Sequence, residues 1–198
     1  MKSADPPASR IGMRGGSARA LCQLLREDYI AHGRDWTRPG FRAVAVHRFG
    51  NWRMTLRSRL LRAPLGLLYH FLYHRVRNGY GIELPYSVRL GRRVVFEHQS
   101  GIVIHGATVI GDDCIIRQNC TLGIRRLDDL SGAPVLGQGV DVGAGACLLG
   151  AITIGDHARI GANAVVLTSV PRSCVAVGVP AIVKSKGLYV SGTLNNCK

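Results

Sequence analysis

The residue with the plainest chemical meaning in this 198-residue chain is His98, flanked by Glu97 and followed by Gln99-Ser100-Gly101. An imidazole changes charge near neutral pH, and one held by a carboxylate accepts a proton from a hydroxyl group, typically accelerating attack by about 10²–10⁴-fold. Glu83, fifteen residues earlier, is a carboxylate that can serve His98 in this way. A histidine metal centre would need three convergent rings. Only His105 and His157 accompany His98 in the second half of the chain, and the six cysteines show neither a CxxC pair nor zinc spacing. No metal is expected.

What positions His98 is a rhythm of six. Leu84, Leu90 and Phe96 set it. After a slip of two residues come Ile104, Ile110, Ile116 and Leu122. A longer interruption from Arg125 to Val135 follows, and Leu136, Val142, Leu148, Ile154, Ile160 and Val166 resume the beat. Glycine follows the aliphatic residue at 91, 111, 137, 143, 155 and 161, and small residues such as Cys114, Cys120 and Ala146 stand four places on. Neither a helix nor simple strand alternation produces this period; a hexapeptide repeat is the mark of a parallel β-helix. Three hexapeptides close one coil of about 18 residues, each coil covering the next. Residues 84–170 amount to four to five coils. His98 falls in the slip of two, where the coil must bulge and present a side chain. Glu83 lies slightly less than one coil earlier, on the adjoining rung.

Before Tyr80 the period is helical. Ala18, Leu21, Leu25 and Tyr29 form one stripe, with Ser17 as cap and Gly33 as stop. A second runs from Phe41 through Trp52 and Leu56 to Leu60. A third opens with Pro64 in its first turn and continues Leu65, Leu68, Tyr69, Leu72, Tyr73, Val76 to Asn78-Gly79. Each helix is expected to set an apolar face against an Arg-rich one. The domain reading is a disordered lead over 1–16, a helical region over 17–79, a β-helix over 80–185 and a tail over 186–198. Residues 1–79 hold 15 Lys/Arg and 4 Asp/Glu, a net of +11, and residues 80–198 hold 11 and 8, a net of +3. This field favours anionic partners, yet no nucleic-acid recognition motif accompanies it, and none is expected to bind. The N-terminus lacks the apolar core of a signal peptide, and Leu60 to Tyr73 is too short and too interrupted to span a bilayer. A cytoplasmic location is expected, with peripheral contact at the inner membrane face through the helices bearing Arg57, Arg59, Arg62, Arg75 and Arg77.

With Ile82-Glu83-Leu84-Pro85, Leu90-Gly91-Arg92, Phe96-Glu97-His98-Gln99-Ser100-Gly101-Ile102-Val103, Cys120-Thr121-Leu122-Gly123 and Val177-Gly178-Val179-Pro180-Ala181, the chain resembles the serine acetyltransferase branch of the hexapeptide acyltransferases. The likeness covers about 105 residues and, more loosely, the helix around Val46 to Trp52. It implies a left-handed β-helix, mainly β, preceded by a small helical region, and an O-acetyltransferase using acetyl-CoA. It implies His98 as base with Glu83 as its carboxylate, a position usually held by Asp in the family, and Glu97 facing the acceptor. It implies acetyl-CoA contacts at Gly123, Gly143, Ala144 and Ala162, with Arg159 near a phosphate, in a groove shared by adjacent subunits of a homotrimer, which can pair into a dimer of trimers.

The acceptor is where the pattern departs. Serine acetyltransferases carry an Arg-His pair in the loop after Thr-Leu-Gly; here Gly132-Ala133 stands at that place, with Arg125 and Arg126 earlier in the loop as possible substitutes. The expected acceptor is therefore a sugar hydroxyl of an exopolysaccharide, a capsule or a lipid-linked precursor, as in the colanic-acid-like branch, with serine as the alternative. Asp35, before Trp36, is a further acceptor contact by loose analogy.

Overall fold

The structure, a computed structural model, describes residues 17–185; the expected lead over 1–16 and tail over 186–198 lie outside the described residues. Three helices come first: α1 (Ala18–Ala31), α2 (Pro39–Arg53) and α3 (Arg59–Tyr80). Ser17 caps α1, its hydroxyl accepting from the Ala20 N–H at 3.2 Å. Pro39 sits in the first turn of α2, where its missing N–H costs nothing.

The boundaries differ from the sequence reading at one junction. The second stripe does not run on to Leu60: α2 stops at Arg53, and Ser58 caps a new helix, so that Leu60 belongs to α3 and Pro64 lies inside it rather than opening it. The serine hydroxyl offers the first turn an acceptor that an unbroken stripe of apolar residues cannot. The expected Arg-rich outer faces are also not what forms. Arg48 and Arg53 are buried, and the outward side of α3 carries Leu60, Leu61, Leu67, Leu68 and Phe71. The helix has two apolar stripes, and only the one holding Tyr69 and Val76 packs inward.

From Ile82 the chain winds in turns of three short strands: β1 (Ile82–Glu83), β2 (Arg89–Leu90) and β3 (Val95–Phe96); β4 (Ile102–Ile104), β5 (Val109–Ile110) and β6 (Ile115–Ile116); β7 (Thr121–Gly123), β8 (Val135–Leu136) and β9 (Asp141–Val142); β10 (Cys147–Leu149), β11 (Thr153–Ile154) and β12 (Arg159–Ile160). A fifth turn adds β13 (Val165–Val166), a single bridge from Val170 to Ile154, and β14 (Cys174–Val177), on which β15 (Ile182–Ser185) folds back antiparallel. Every third strand stacks in parallel. The first face is thus β1-β4-β7-β10-β13, the second β2-β5-β8-β11 and the third β3-β6-β9-β12-β14, closed by β15. This is the parallel β-helix expected from the repeat, in the left-handed form that the resemblance implies.

Inside the prism the period-six residues form one column of apolar contacts; Ile104, Ile110, Ile116, Leu122, Leu136, Val142, Leu148 and Ile154 are all buried. The small positions explain two of the cysteines. Cys114 and Cys120 are buried, each giving its S–H to a glycine carbonyl, Gly137 or Gly143, at 3.1 Å, and burial pushes the Cys114 thiol up to about 12. Both interruptions of the rhythm are visible in the register. Cys147 pairs with Val165 eighteen residues on, whereas Ile82 pairs with Ile102 twenty on and Thr121 with Cys147 twenty-six on. The two extra residues lie in the His98 bulge and the eight in the 124–134 loop.

The helices close the open first turn. Ala43 and Val44 of α2 and Val76 of α3 join the coil core, and a Cβ on Gly40 would lie 2.0 Å from the Phe96 carbonyl oxygen, so α2 approaches the coil as closely as a backbone can. Arg48 is buried between the two halves. Its Nε donates to Asp28 of α1 at 2.9 Å, and Nη1 and Nη2 donate to the carbonyls of Leu90 and Gly91 at 2.8 and 2.5 Å. Arg53 lies over the rings of both Tyr69 and Tyr86, which meet edge to face. At the rim, Glu27 of α1 pairs with Arg92 and Arg93 of the coil.

His47 donates from Nε2 to the Val88 carbonyl at 3.0 Å and is fully buried; burial, aided by the Arg48 charge, lowers its pKa from 6.5 to about 3. Folding therefore requires the neutral ring. This contribution is complete above pH 6.5 and is lost as pH falls from there toward 3, because the unfolded chain binds the proton first. At pH 5 the loss is about 2 kcal/mol. Melting temperature should fall steadily between pH 7 and pH 4.5, and His47→Gln should flatten that slope.

Candidate active site

The edge between the third and first faces gathers five of the expected residues, Glu97, His98, Gly143, Ala144 and Ala162. It is built from five stacked corners: residues 97–101, 117–120, 143–146, 161–164 and 177–178. Backbone hydrogen bonds tie corner to corner. Glu97 N donates to Ile116 O at 2.9 Å, Arg117 N to Val142 O at 3.3 Å, Gly143 N to Ile160 O at 2.8 Å and Asn163 N to Ala144 O at 2.8 Å. Glu97 and Gly143 thus stand two rungs apart in one line, about 10 Å at the usual spacing of parallel strands.

The first corner is the irregular one. His98, Ser100 and Gly101 all have positive φ, at 66°, 88° and 65°, and two of the three are not glycine. Regular corners have a single such residue, as at Arg93 or Asn119. Histidine tolerates this conformation better than bulky residues. The bulge is anchored by Ser100 N donating to Tyr80 O at 2.8 Å and by Asn119 N donating to Ser100 O at 2.9 Å. His98 is exposed, and its ring makes no hydrogen bond to Glu83 or to any other described residue. Glu83 is half-buried on the outer surface of the first face, opposite Val103. Its charge reaches Tyr73 of α3, whose phenol is pushed up to about 12 by burial first and by Glu83 second.

Glu97 is fixed by a residue the sequence reading passed over. Arg117, on the next corner, reaches Glu97 at 3.6 Å and pairs closely with Asp141. Arg159 is exposed on the same face, its backbone opposite Asp141, so charges alternate from rung to rung. The signal was in the spacing: Arg117 follows Glu97 by twenty residues, one coil plus the two inserted ones.

The other expected residues sit elsewhere. Asp35 precedes α2 and accepts from the N–H and the hydroxyl of Thr37 at 2.8 and 2.5 Å, which holds its carboxyl below the usual range. Gly123, Arg125 and Arg126 lie on the edge between the first and second faces, so a single chain does not bring them to His98. Arg126 is tied to Asp128 within the loop at 2.7 Å; Arg125 is exposed and has no ion pair among the described residues.

Gly143 and Gly123 differ in kind. A Cβ on Gly143 would lie 2.6 Å from Ala162 N, so stacking alone demands glycine there and brings Gly143, Ala144 and Ala162 together. At Gly123 a Cβ would meet nothing nearer than 3.7 Å, so packing does not require the glycine. Among the described residues no group of three or more His, Cys, Asp or Glu could hold a metal ion. The edge therefore offers a solvent-facing imidazole, a braced carboxylate beside it and a line of small residues with free approach to the backbone.

No protein-family model matches the chain. It is 38% identical over 154 residues to a serine acetyltransferase of Synechococcus elongatus, covering 78% of this chain and 59% of that protein. It is 37% identical over 166 residues to a serine acetyltransferase of Helicobacter pylori, covering 82% of this chain and 92% of that protein. The crystal structure of a Brucella abortus serine acetyltransferase in complex with coenzyme A matches with a TM-score of 0.71 at 29% identity, over 84% of this chain and 68% of that one. The chain spans about half to three fifths of the length of several curated relatives, 59%, 59% and 51%.

The two glycines supply a test. Gly143→Ala should cost about 1–3 kcal/mol through overpacking, whereas Gly123→Ala should stay within about 0.5 kcal/mol. Thermal melts of the two variants measure the contrast.

Proposed function

The chain belongs to the serine acetyltransferase family, and on that footing we propose that it is an O-acetyltransferase moving an acetyl group from acetyl-CoA to the hydroxyl of serine. The observation that carries this reading is the single prism edge on which Glu97, His98, Gly143, Ala144 and Ala162 line up. The polysaccharide acceptor expected from the loop is not supported. Relatives covering 78% and 82% of this chain are serine acetyltransferases, and serine is the better-supported acceptor.

Acetyl-CoA supplies an acyl group activated as a thioester. His98 takes the proton from the serine hydroxyl as its oxygen attacks, holds it as imidazolium, and returns it to the departing thiolate. Glu83, on the neighbouring rung, orients the ring and stabilises its cationic form once the site is filled; hydrogen bonds of this kind are often long before substrate binds. Glu97, braced by Arg117, faces the acceptor. The small residues at 143, 144 and 162 let the pantetheine arm lie against backbone, with Arg159 toward a phosphate.

The site is completed by assembly. In a homotrimer the edge bearing His98 on one protomer faces the edge bearing Gly123 and Arg125 on the next. Arg125, a cation with no ion pair among the described residues, then supplies the partner for the serine carboxylate that Gly132-Ala133 cannot.

His98→Ala should lower turnover about a hundredfold or more while the far-ultraviolet spectrum stays unchanged, measured by thiol release from acetyl-CoA with serine. Near-normal turnover would refute the base assignment. Arg125→Gln should raise KM for serine and leave KM for acetyl-CoA unchanged. If a nucleotide sugar or oligosaccharide shows a higher kcat/KM than serine, the acceptor proposed here is wrong.

A further inference from the structure

Between Asp35 and Glu83 lie 47 residues with nine arginines and no acidic residue. Arg48 is neutralised by Asp28, and Arg53 is buried against the rings of Tyr69 and Tyr86. The other seven, Arg38, Arg42, Arg57, Arg59, Arg62, Arg75 and Arg77, form no ion pair among the described residues, and only Arg38 and Arg42 lie near enough to an acid, Asp35, to feel its charge. The same stretch carries the largest group of exposed apolar side chains in the described structure. Along α3, Leu60, Leu67 and Phe71 are 87%, 76% and 60% exposed, with Leu61 and Leu68 beside them. At helical spacing Leu60, Pro64, Leu67 and Phe71 form one line about three turns long. Trp36, 65% exposed, joins Phe71 across a cleft of about 1060 Å³ between α2 and α3, also lined by Phe41, Leu72 and Arg75. Arg75 leans over the Phe71 ring and Arg42 over Trp36, so charge and apolar surface are interleaved.

We propose that this face of α3, with the adjoining Trp36 cleft, docks on the surface of an anionic phospholipid bilayer. An apolar line of Leu, Phe and Trp rimmed by arginine suits the boundary between headgroups and acyl chains, where each arginine near an anionic surface adds to binding. The helix lies on the bilayer and does not cross it, because no described helix is long and apolar enough to do so. A second copy of the chain is a poorer occupant. Two α3 faces in contact would bring arginines against arginines, with no acid anywhere in residues 36–82 to relieve them.

The test is co-sedimentation of the full chain with vesicles of phosphatidylcholine alone and of equal parts phosphatidylcholine and phosphatidylglycerol, at low and high salt. Binding should appear with the anionic vesicles, weaken with salt and be small with phosphatidylcholine alone. Arg59→Gln with Arg75→Gln should lower the partition coefficient about thirtyfold, and Leu67→Asp with Phe71→Asp should abolish binding. All four side chains point to solvent, so the soluble variants should keep their helical spectrum and their transfer of acetyl groups in the absence of vesicles. Failure to bind anionic vesicles at low salt, or binding that survives Leu67→Asp with Phe71→Asp, overturns the proposal. So does self-association that the same double variant disrupts, since the face is then covered by another copy.

Discussion

Arg48 is the interaction on which the arrangement of the molecule depends. Its guanidinium is buried between α1, α2 and the first turn of the coil, and each side gives it acceptors: the Asp28 carboxylate from one, the Leu90 and Gly91 carbonyls from the other. A charge taken so far from water is tolerable only when paired and fully hydrogen-bonded, and removing one partner of such a pair costs about 3–5 kcal/mol. The geometry it enforces matters more than its net energy. A β-helix exposes the apolar interior of its first rung unless something covers it. Arg48 fixes α2 at the angle that lays Ala43 and Val44 over that rung and brings Gly40 against Phe96, two residues from His98. The seating of the cap on the coil rests on this one buried guanidinium.

Much of this was legible in the chain. The six-residue beat identifies the prism because its period matches no other common element, and the slip between Phe96 and Ile104 marks the one place where a corner must deform. Gly143 and Ala162 were legible as small, though only the stacked backbone shows that packing by itself demands glycine at 143. Less visible was whatever depends on which turn lies above which. Asp28 and Arg48 are twenty residues apart on different helices, and nothing in their neighbours announces a buried pair. Arg117 needed the two-residue insertion to be counted before it could be placed beside Glu97. On α3 the pattern held two apolar stripes, and reading one as the core left the other to be assumed basic; the arginines in fact gather at the helix ends.

The acceptor is the least legible part of the site for a related reason. The absence of an Arg-His pair at Gly132-Ala133 points, along the sequence, to a loss of carboxylate recognition. The 124–134 loop, however, sits on a different edge from His98, so within one chain it does not reach an acceptor held beside that ring. The sequence offers Arg125 and Arg126 as substitutes for that pair, but a reading along one chain does not show which edge of the prism carries them.

The bulge at His98 leaves the coil undisturbed on both sides: Phe96 still stacks on Ile116, and Ile104 still stacks on Leu122. The corner that carries His98 is therefore a graft on a scaffold whose stacking continues without it. A descendant that shed those two extra positions would keep its architecture while losing that corner, and a regular prism of the same build could gain one by acquiring them.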